Sequence, residues 1–145
     1  MEKTVATLLE FEAEAARFTR SFPPSFSGAT LITLSGELGS GKTAFTKIIA
    51  KTLGVMQTVT SPTFVLEKIY PLLHQKRFKR LVHIDAYRLE SGKELAPLSL
   101  DELMQEEANL ILLEWPEKVS EALPSPTIRI TLLAHPDGSR TISYD

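Results

Sequence analysis

Gly36-Glu37-Leu38-Gly39-Ser40-Gly41-Lys42-Thr43 decides how this chain is read. Gly, four free positions, then Gly-Lys-Ser/Thr is the pattern of a phosphate-binding loop, and every fixed position is filled. The flanks agree with it. Thr30-Leu31-Ile32-Thr33-Leu34 reads as a short buried strand entering the loop. Behind the loop, Phe45, Ile48, Ile49, Thr52 and Leu53 recur at helical spacing, and Gly54 is placed to end that helix. Strand, glycine loop and helix in this order separate the motif from a glycine turn before an ordinary helix.

The chemistry of such a loop follows from its backbone. Gly36, Gly39 and Gly41 accept angles closed to other residues, so successive N–H groups turn inward around one anion. The helix starting near Lys42 aims its positive end at the same point. Residues Gly36, Glu37, Leu38, Gly39, Ser40, Gly41, Lys42, Thr43 and Ala44 are therefore the expected nucleotide-binding segment. Lys42 is expected to reach the outer phosphates, and the Thr43 hydroxyl to join a magnesium ion bridging them.

Composition sets the frame. With 145 residues, one domain spanning 1–145 is expected, able to bury roughly two-thirds of its unfolded surface. The absence of Cys removes disulfides, thiolate metal sites and a Cys nucleophile together. A net charge of −2 offers no global attraction to nucleic acid. No apolar run approaches about 20 residues, and Met1-Glu2-Lys3 does not open a signal peptide, so a cytoplasmic protein without a membrane span is expected.

Outward from the loop, Thr4 to Leu8 suggests a short strand, and Leu9 to Phe22 an amphipathic helix with Leu9, Ala13, Ala16 and Phe18 as its apolar set. Pro23 to Gly28 breaks the chain. Thr63 to Tyr70 alternates as a strand does, Pro71 to Arg80 reads as a connection, and Leu81 to Ile84 is a buried strand ending at Asp85. Leu98 to Glu107 suggests a short acidic helix. Leu110 to Leu113 is wholly apolar, as strands buried on both faces are, and ends at Glu114. Thr127 to Leu132 and Arg140 to Tyr144 flank a Pro136-Asp137-Gly138-Ser139 turn and predict an antiparallel hairpin. The sum is an α/β fold, a three-layer sandwich with a mixed, mainly parallel central sheet and a C-terminal hairpin.

Ligands in open α/β sheets gather beyond the carboxyl ends of the strands, and three such ends carry the glycine loop, Asp85 and Glu114. A carboxylate just past an apolar strand is poorly solvated unless a cation sits nearby, and magnesium on bound phosphates is the obvious one. One acid could hold the ion; the other could orient or deprotonate an attacking water. Either could instead cap a following helix. Spacing alone does not say which acid meets the metal.

Four blocks make the chain closely resemble the TsaE family, small bacterial P-loop ATPases of the tRNA threonylcarbamoyladenosine pathway. They are Gly36 to Thr43, Ser61-Pro62-Thr63-Phe64, His83-Ile84-Asp85-Ala86-Tyr87-Arg88-Leu89 and Glu114-Trp115-Pro116-Glu117. Their order and separations span nearly the whole chain, and Glu-Trp-Pro-Glu after an apolar strand is the most specific of them. The resemblance implies that Lys42 and Thr43 contact phosphate and magnesium, and that Asp85 is a Walker B-like acid needed for hydrolysis. It implies Glu114 as the direct magnesium ligand and Trp115 as a required aromatic beside the nucleotide. Thr60 to Thr63 match a loop that responds to the terminal phosphate. The implied catalytic set is Lys42, Asp85 and Glu114, with ATP and Mg2+ bound. The implied partners are the TsaB and TsaD proteins, with tRNA met only through their complex and hydrolysis resetting it; alone, the chain is expected to be a monomer of weak activity.

Other residues have plainer readings. Ser61-Pro62 could be only a turn, Trp115 only core packing, and Lys76-Arg77-Phe78-Lys79-Arg80 a solvated loop rather than an RNA contact. Arg88 could steady phosphate charge or pair with Glu90 or Glu94, and His83 inside an apolar strand reads as a satisfied core side chain. His74, His83 and His135 show no metal-ligand spacing. The competing function is a small-molecule P-loop kinase, for which Pro71 to Arg80 is the stretch able to furnish a lid. No Asn-Lys-x-Asp guanine reader is present, which favours ATP over GTP.

Overall fold

A computed structural model describes residues 1–22, 28–60, 66–73 and 75–145. Its centre is the apolar strand β2 (Thr30–Ser35), which pairs in parallel with β5 (Asn109–Glu114) on one side and β6 (Ile128–Ala134) on the other. Next to β5, again parallel, lies β4 (Arg80–Asp85), and β3 (Glu67–Pro71) closes that edge antiparallel. Beyond β6, the hairpin partner β7 (Arg140–Tyr144) and then β1 (Glu2–Val5) each pair antiparallel, giving the order β1-β7-β6-β2-β5-β4-β3. β1, β2, β4, β5 and β6 all point the same way, so the sheet is mixed but mainly parallel, as expected.

Alternation along the strands builds two cores. Ile32, Leu34, Leu81, Leu110, Leu112 and Ile130 meet the helices α1 (Leu8–Ser21) and α2 (Lys42–Thr52) through Phe11, Phe18, Phe45 and Ile49. Leu31, Val82, Ile84, Ile111 and Leu113 face the other layer, where Leu95, Leu100 and Val119 cover them. That second layer is made of 3-10 turns at Gly92–Leu98, Pro116–Lys118 and Ser120–Ala122 plus the one-turn α3 (Leu100–Met104).

Several expectations are corrected. The acidic helix is α3 alone, because Ser99 sits at φ 53 and separates it from the preceding 3-10 turn. Its C-terminal carbonyls are taken by other segments: Met104 O accepts from Ala29 N, and Leu103 O from the Asn109 side chain. The first strand is Glu2–Val5 rather than Thr4 to Leu8, since Thr7 already caps α1 by accepting from Glu10 N at 3.1 Å. The apolar face of α1 is also rotated. Leu9 and Ala13 are exposed, whereas Phe11, Ala15 and Phe18 are buried, followed by Phe22 just past the helix.

Glu14 shares that inner face, 2% exposed, and obscures the stripe. It is tolerated because Arg17 grips both its oxygens at 2.8 and 2.7 Å, while the Tyr144 hydroxyl donates at 2.6 Å and Lys3 lies 3.3 Å away. At the far edge, Leu66 has φ 66 and β3 starts only at Glu67; the earlier part of the expected strand, Thr63 to Val65, lies outside the described residues.

Candidate nucleotide site

The loop leaves β2 at Ser35 and enters α2 at Lys42. Gly36, Gly39 and Gly41 all take positive φ, at 151°, 81° and 110°. Gly36 is also enclosed: a Cβ there would lie 2.5 Å from Ser40 Oγ and 2.6 Å from the Leu132 carbonyl oxygen. Only glycine meets both demands. The Lys42 side chain folds back over the loop, its ammonium donating to Gly36 O at 2.5 Å and Glu37 O at 3.0 Å. It also stands 4.1 Å from the centroid of the Trp115 ring. Burial pushes the Lys42 ammonium below the ordinary lysine range, against the opposing pull of the Glu114, Glu117, Asp85 and Glu37 carboxylates.

Register brings the two acids together. Asp85 is the partner of Glu114 across β4 and β5, and Glu114 is the partner of Leu34 across β5 and β2. Partners in register share a face, so Asp85 and Glu114 both lie on the side of the sheet that carries α2. Glu114 is 1% exposed, and its two oxygens have separate neighbours. Oε1 accepts from the Thr43 hydroxyl at 3.2 Å, while Oε2 lies 2.5 Å from His83 Nε2. Asp85 Oδ1 accepts from Tyr87 N at 3.0 Å, a local turn rather than the cap of an α-helix. A cleft of about 420 Å³ runs along this arrangement, lined among others by Leu38, Thr43, Ala44, Asp85, Arg88 and Trp115. Glu37 and Ser40 complete the loop beside it, and Ser40 is 1% exposed.

Trp115 holds φ 62, an uncommon conformation for a large residue, at the point where the chain leaves β5. Its N–H is tied to Leu34 O at 3.1 Å and its ring packs 5.0 Å from that of Tyr87. Such a conformation costs about 1–3 kcal/mol and is held here by neighbours on both sides.

Two contributors were not read from the sequence. Arg140, on β7, donates from Nε to Ser40 O at 2.9 Å and from Nη2 to Gly39 O at 3.1 Å, so the hairpin fastens the outward carbonyls of the loop. A smaller depression of about 110 Å³ lies on that side, between Thr7-Leu8, Phe11, Gly41 and Arg140. His83, read as a core side chain, is indeed 0% exposed but bonds Glu114. Its place two residues before Asp85 on the same strand was a usable signal.

Other sequence candidates fall elsewhere. Lys76 to Arg80 leads into the start of β4, the end opposite Asp85; Arg77 stacks on Phe22 and Phe78, and Arg80 pairs with Glu106 at 3.3 Å. His135 bonds the Thr141 hydroxyl at 2.7 Å. Thr60 accepts from Lys68 Nζ at 2.7 Å, whereas Ser61 to Thr63 and His74 lie outside the described residues.

Residues 9–142 match the family model described as "Threonylcarbamoyl adenosine biosynthesis protein TsaE". The chain is 35% identical over 135 residues to the tRNA threonylcarbamoyladenosine biosynthesis protein TsaE of Rickettsia bellii, covering 92% of this chain and 90% of that one. It is 42% identical over 103 residues to the protein of the same name from Streptomyces coelicolor, covering 70% and 67%. Among solved structures, the crystal structure of Bacillus subtilis YdiB superposes with a TM-score of 0.76 at 29% identity, covering 99% of this chain and 83% of that one.

Proposed function

Because this chain belongs to the TsaE family, we propose that it is a magnesium-dependent ATPase serving tRNA threonylcarbamoyladenosine formation. The observation that carries the reading is the 3.2 Å contact between the Thr43 hydroxyl and Glu114 Oε1, which joins the phosphate loop to the neighbouring strand end.

The donor set suits magnesium. Among the described residues no group of three or more His, Asp or Glu side chains gathers as a metal cage. Thr43 and Glu114 offer oxygens only, and magnesium is characteristically held by one or two carboxylates together with substrate phosphates. Bound there, the ion would supply positive charge that offsets the charge on the phosphates. Thr43 and Glu114 are its protein ligands in this reading. Lys42, already inside the loop, exchanges the Gly36 and Glu37 carbonyls for the outer phosphates. Asp85, one strand further out on the same face, orients the attacking water and takes its proton. The loop amides from Gly36 to Ala44 hold the phosphate chain, and Trp115 closes the cleft beside it. The small depression bounded by Thr7, Phe11 and Arg140 suits the adenine, since it adjoins Gly41 and has an apolar wall.

The kinase alternative loses its lid in this arrangement. The described part of Pro71 to Arg80 sits at the start of β4, five residue steps or roughly 17 Å from Asp85. The family resemblance supports work with TsaB and TsaD, tRNA being met through that complex, and a cytoplasmic setting. No described helix is long and apolar enough to cross a membrane.

Phosphate release with product identification tests the reading. The expected products are ADP and inorganic phosphate, formed slowly by the chain alone and faster with TsaB and TsaD added. Lys42→Ala, Asp85→Ala and Glu114→Ala should each abolish turnover. Phosphate transferred to an added metabolite, or full activity in Glu114→Ala, would overturn it.

A further inference from the structure

We infer that His83 is a positioning residue for Glu114: its imidazole holds one carboxylate oxygen so that the other stays turned toward Thr43 and the magnesium position. This rests on the reading that Glu114 is a metal ligand. His83 stands on β4 beside Leu112 of β5, two residues before Asp85 and two before Glu114 in the paired register. Its side chain is fully buried, and Nε2 lies 2.5 Å from Glu114 Oε2. A carboxylate oxygen is an acceptor, so in this pair the imidazole serves as the donor through Nε2. Nδ1 meets no partner among the described residues. With the hydrogen on Nε2 it is a bare lone pair; an N–H there would be a buried donor without a partner among the described residues.

Packing does not account for this side chain. Its neighbours Leu81, Val82 and Ile84 fill the strand with hydrocarbon, and another aliphatic residue at 83 would do so without burying a half-satisfied imidazole. What an aliphatic residue cannot do is donate to Oε2. A glutamate head turns about several bonds, and a carboxylate whose two oxygens face different donors has that rotation removed. Only Oε1, the oxygen shared with Thr43, is then left to face a cation. Donors behind a ligand of this kind are typically worth about 10–100-fold in metal affinity.

The test uses the full chain with Mn2+ and ADP as probes. Manganese affinity in the ADP complex is read by electron paramagnetic resonance, and ADP affinity in EDTA by calorimetry. His83→Leu and His83→Asn should weaken Mn2+ by about 10–100-fold and leave metal-free ADP binding within about threefold. The asparagine amide is too short to reach Oε2. His83→Gln, whose amide nitrogen stands near the position of Nε2, should keep Mn2+ affinity within about threefold of the parent. If His83→Leu fails to fold, the Gln and Asn pair decides alone, since both place an amide in the strand. Equal Mn2+ affinities for Gln and Asn, or a loss of metal-free ADP binding as large as the metal loss, would overturn the inference. Glu114→Gln separates the two levels. Loss of Mn2+ there with no effect at His83 leaves the metal reading standing without this inference; unchanged Mn2+ in Glu114→Gln removes both.

Discussion

Two alanine substitutions in one loop should differ sharply. At Gly36 the backbone has φ 151°, and an added Cβ meets the Leu132 carbonyl oxygen at 2.6 Å and Ser40 Oγ at 2.5 Å. The serine could rotate, but the carbonyl belongs to β6 and can yield only if the strand moves. Conformational strain of about 1–3 kcal/mol then adds to overpacking of about 1–3 kcal/mol, for a total near 2–6 kcal/mol. At Gly39, with φ 81°, nothing lies within 4 Å of the new methyl, leaving only the left-handed cost of about 1–2 kcal/mol. For a chain of this length, each kcal/mol lowers the melting temperature by about 2–4 °C. Scanning calorimetry without nucleotide should find Gly36→Ala lower by roughly 4–24 °C and Gly39→Ala by roughly 2–8 °C, the Gly36 shift being the larger. Equal shifts, or a larger one at Gly39, would mean that the Leu132 carbonyl of β6 does not press on the loop at Gly36.

Arg140→Lys keeps the charge but loses the planar fork whose Nε and Nη2 meet the two loop carbonyls. The expected loss is about 1–2 kcal/mol, a charged hydrogen bond discounted for partial exposure, with ADP affinity falling about tenfold. A lower melting temperature with unchanged ADP affinity would mean that the guanidinium does not shape the site. Glu14 gives a pH signature. Hydrogen bonds from Arg17, opposed by burial and helped by Tyr144 and Lys3, hold its carboxyl down from 4.5 to about 2. Because the folded value is depressed, its stabilisation is complete above about pH 4.5 and fades as pH falls toward 2. With Arg17 and Lys3 half-exposed, that contribution is about 1–2 kcal/mol. Denaturant unfolding should therefore separate Glu14→Gln from the parent at pH 7 and converge the two near pH 2–3; a constant difference would refute it. Trp115 is the chain's single tryptophan, so magnesium–ATP should change its emission, and Lys42→Ala should shift the spectrum before any ligand is added. Unaltered emission in both cases would place neither the cation nor the ligand against the ring.

Periodicity carried the parallel centre of the fold. The runs at 30–34, 81–84 and 110–113 are too short for helices and are rich in apolar residues, as strands buried on both faces are, and the loop after the first fixed which ends mattered. Local chemistry hid the rest. Glu14 on the inner face of α1 masked the stripe that Phe11, Ala15 and Phe18 form, because a charge satisfied by Arg17, Lys3 and Tyr144 looks like a surface residue until its partners are known. Thr7-Leu8-Leu9-Glu10 had the spacing of a helix cap and could have corrected the boundary between β1 and α1. The second layer was poorly legible since its 3-10 turns have neither a 3.6-residue stripe nor alternation. At the site, Asp85 and Glu114 could be placed at strand ends, but that they stand in register across adjacent strands is a pairing no spacing reveals. Arg140 could not be anticipated at all: its partners lie 100 and 101 residues away.

The proposal that this cleft takes a nucleoside triphosphate with magnesium is tested most directly by calorimetric titration of ATP into the intact chain, with Mg2+ and with EDTA. One-to-one binding, tighter with the metal, is expected, with the metal's share lost in Glu114→Gln and all binding lost in Lys42→Ala. No heat in either buffer, or identical affinities with and without Mg2+, would contradict it.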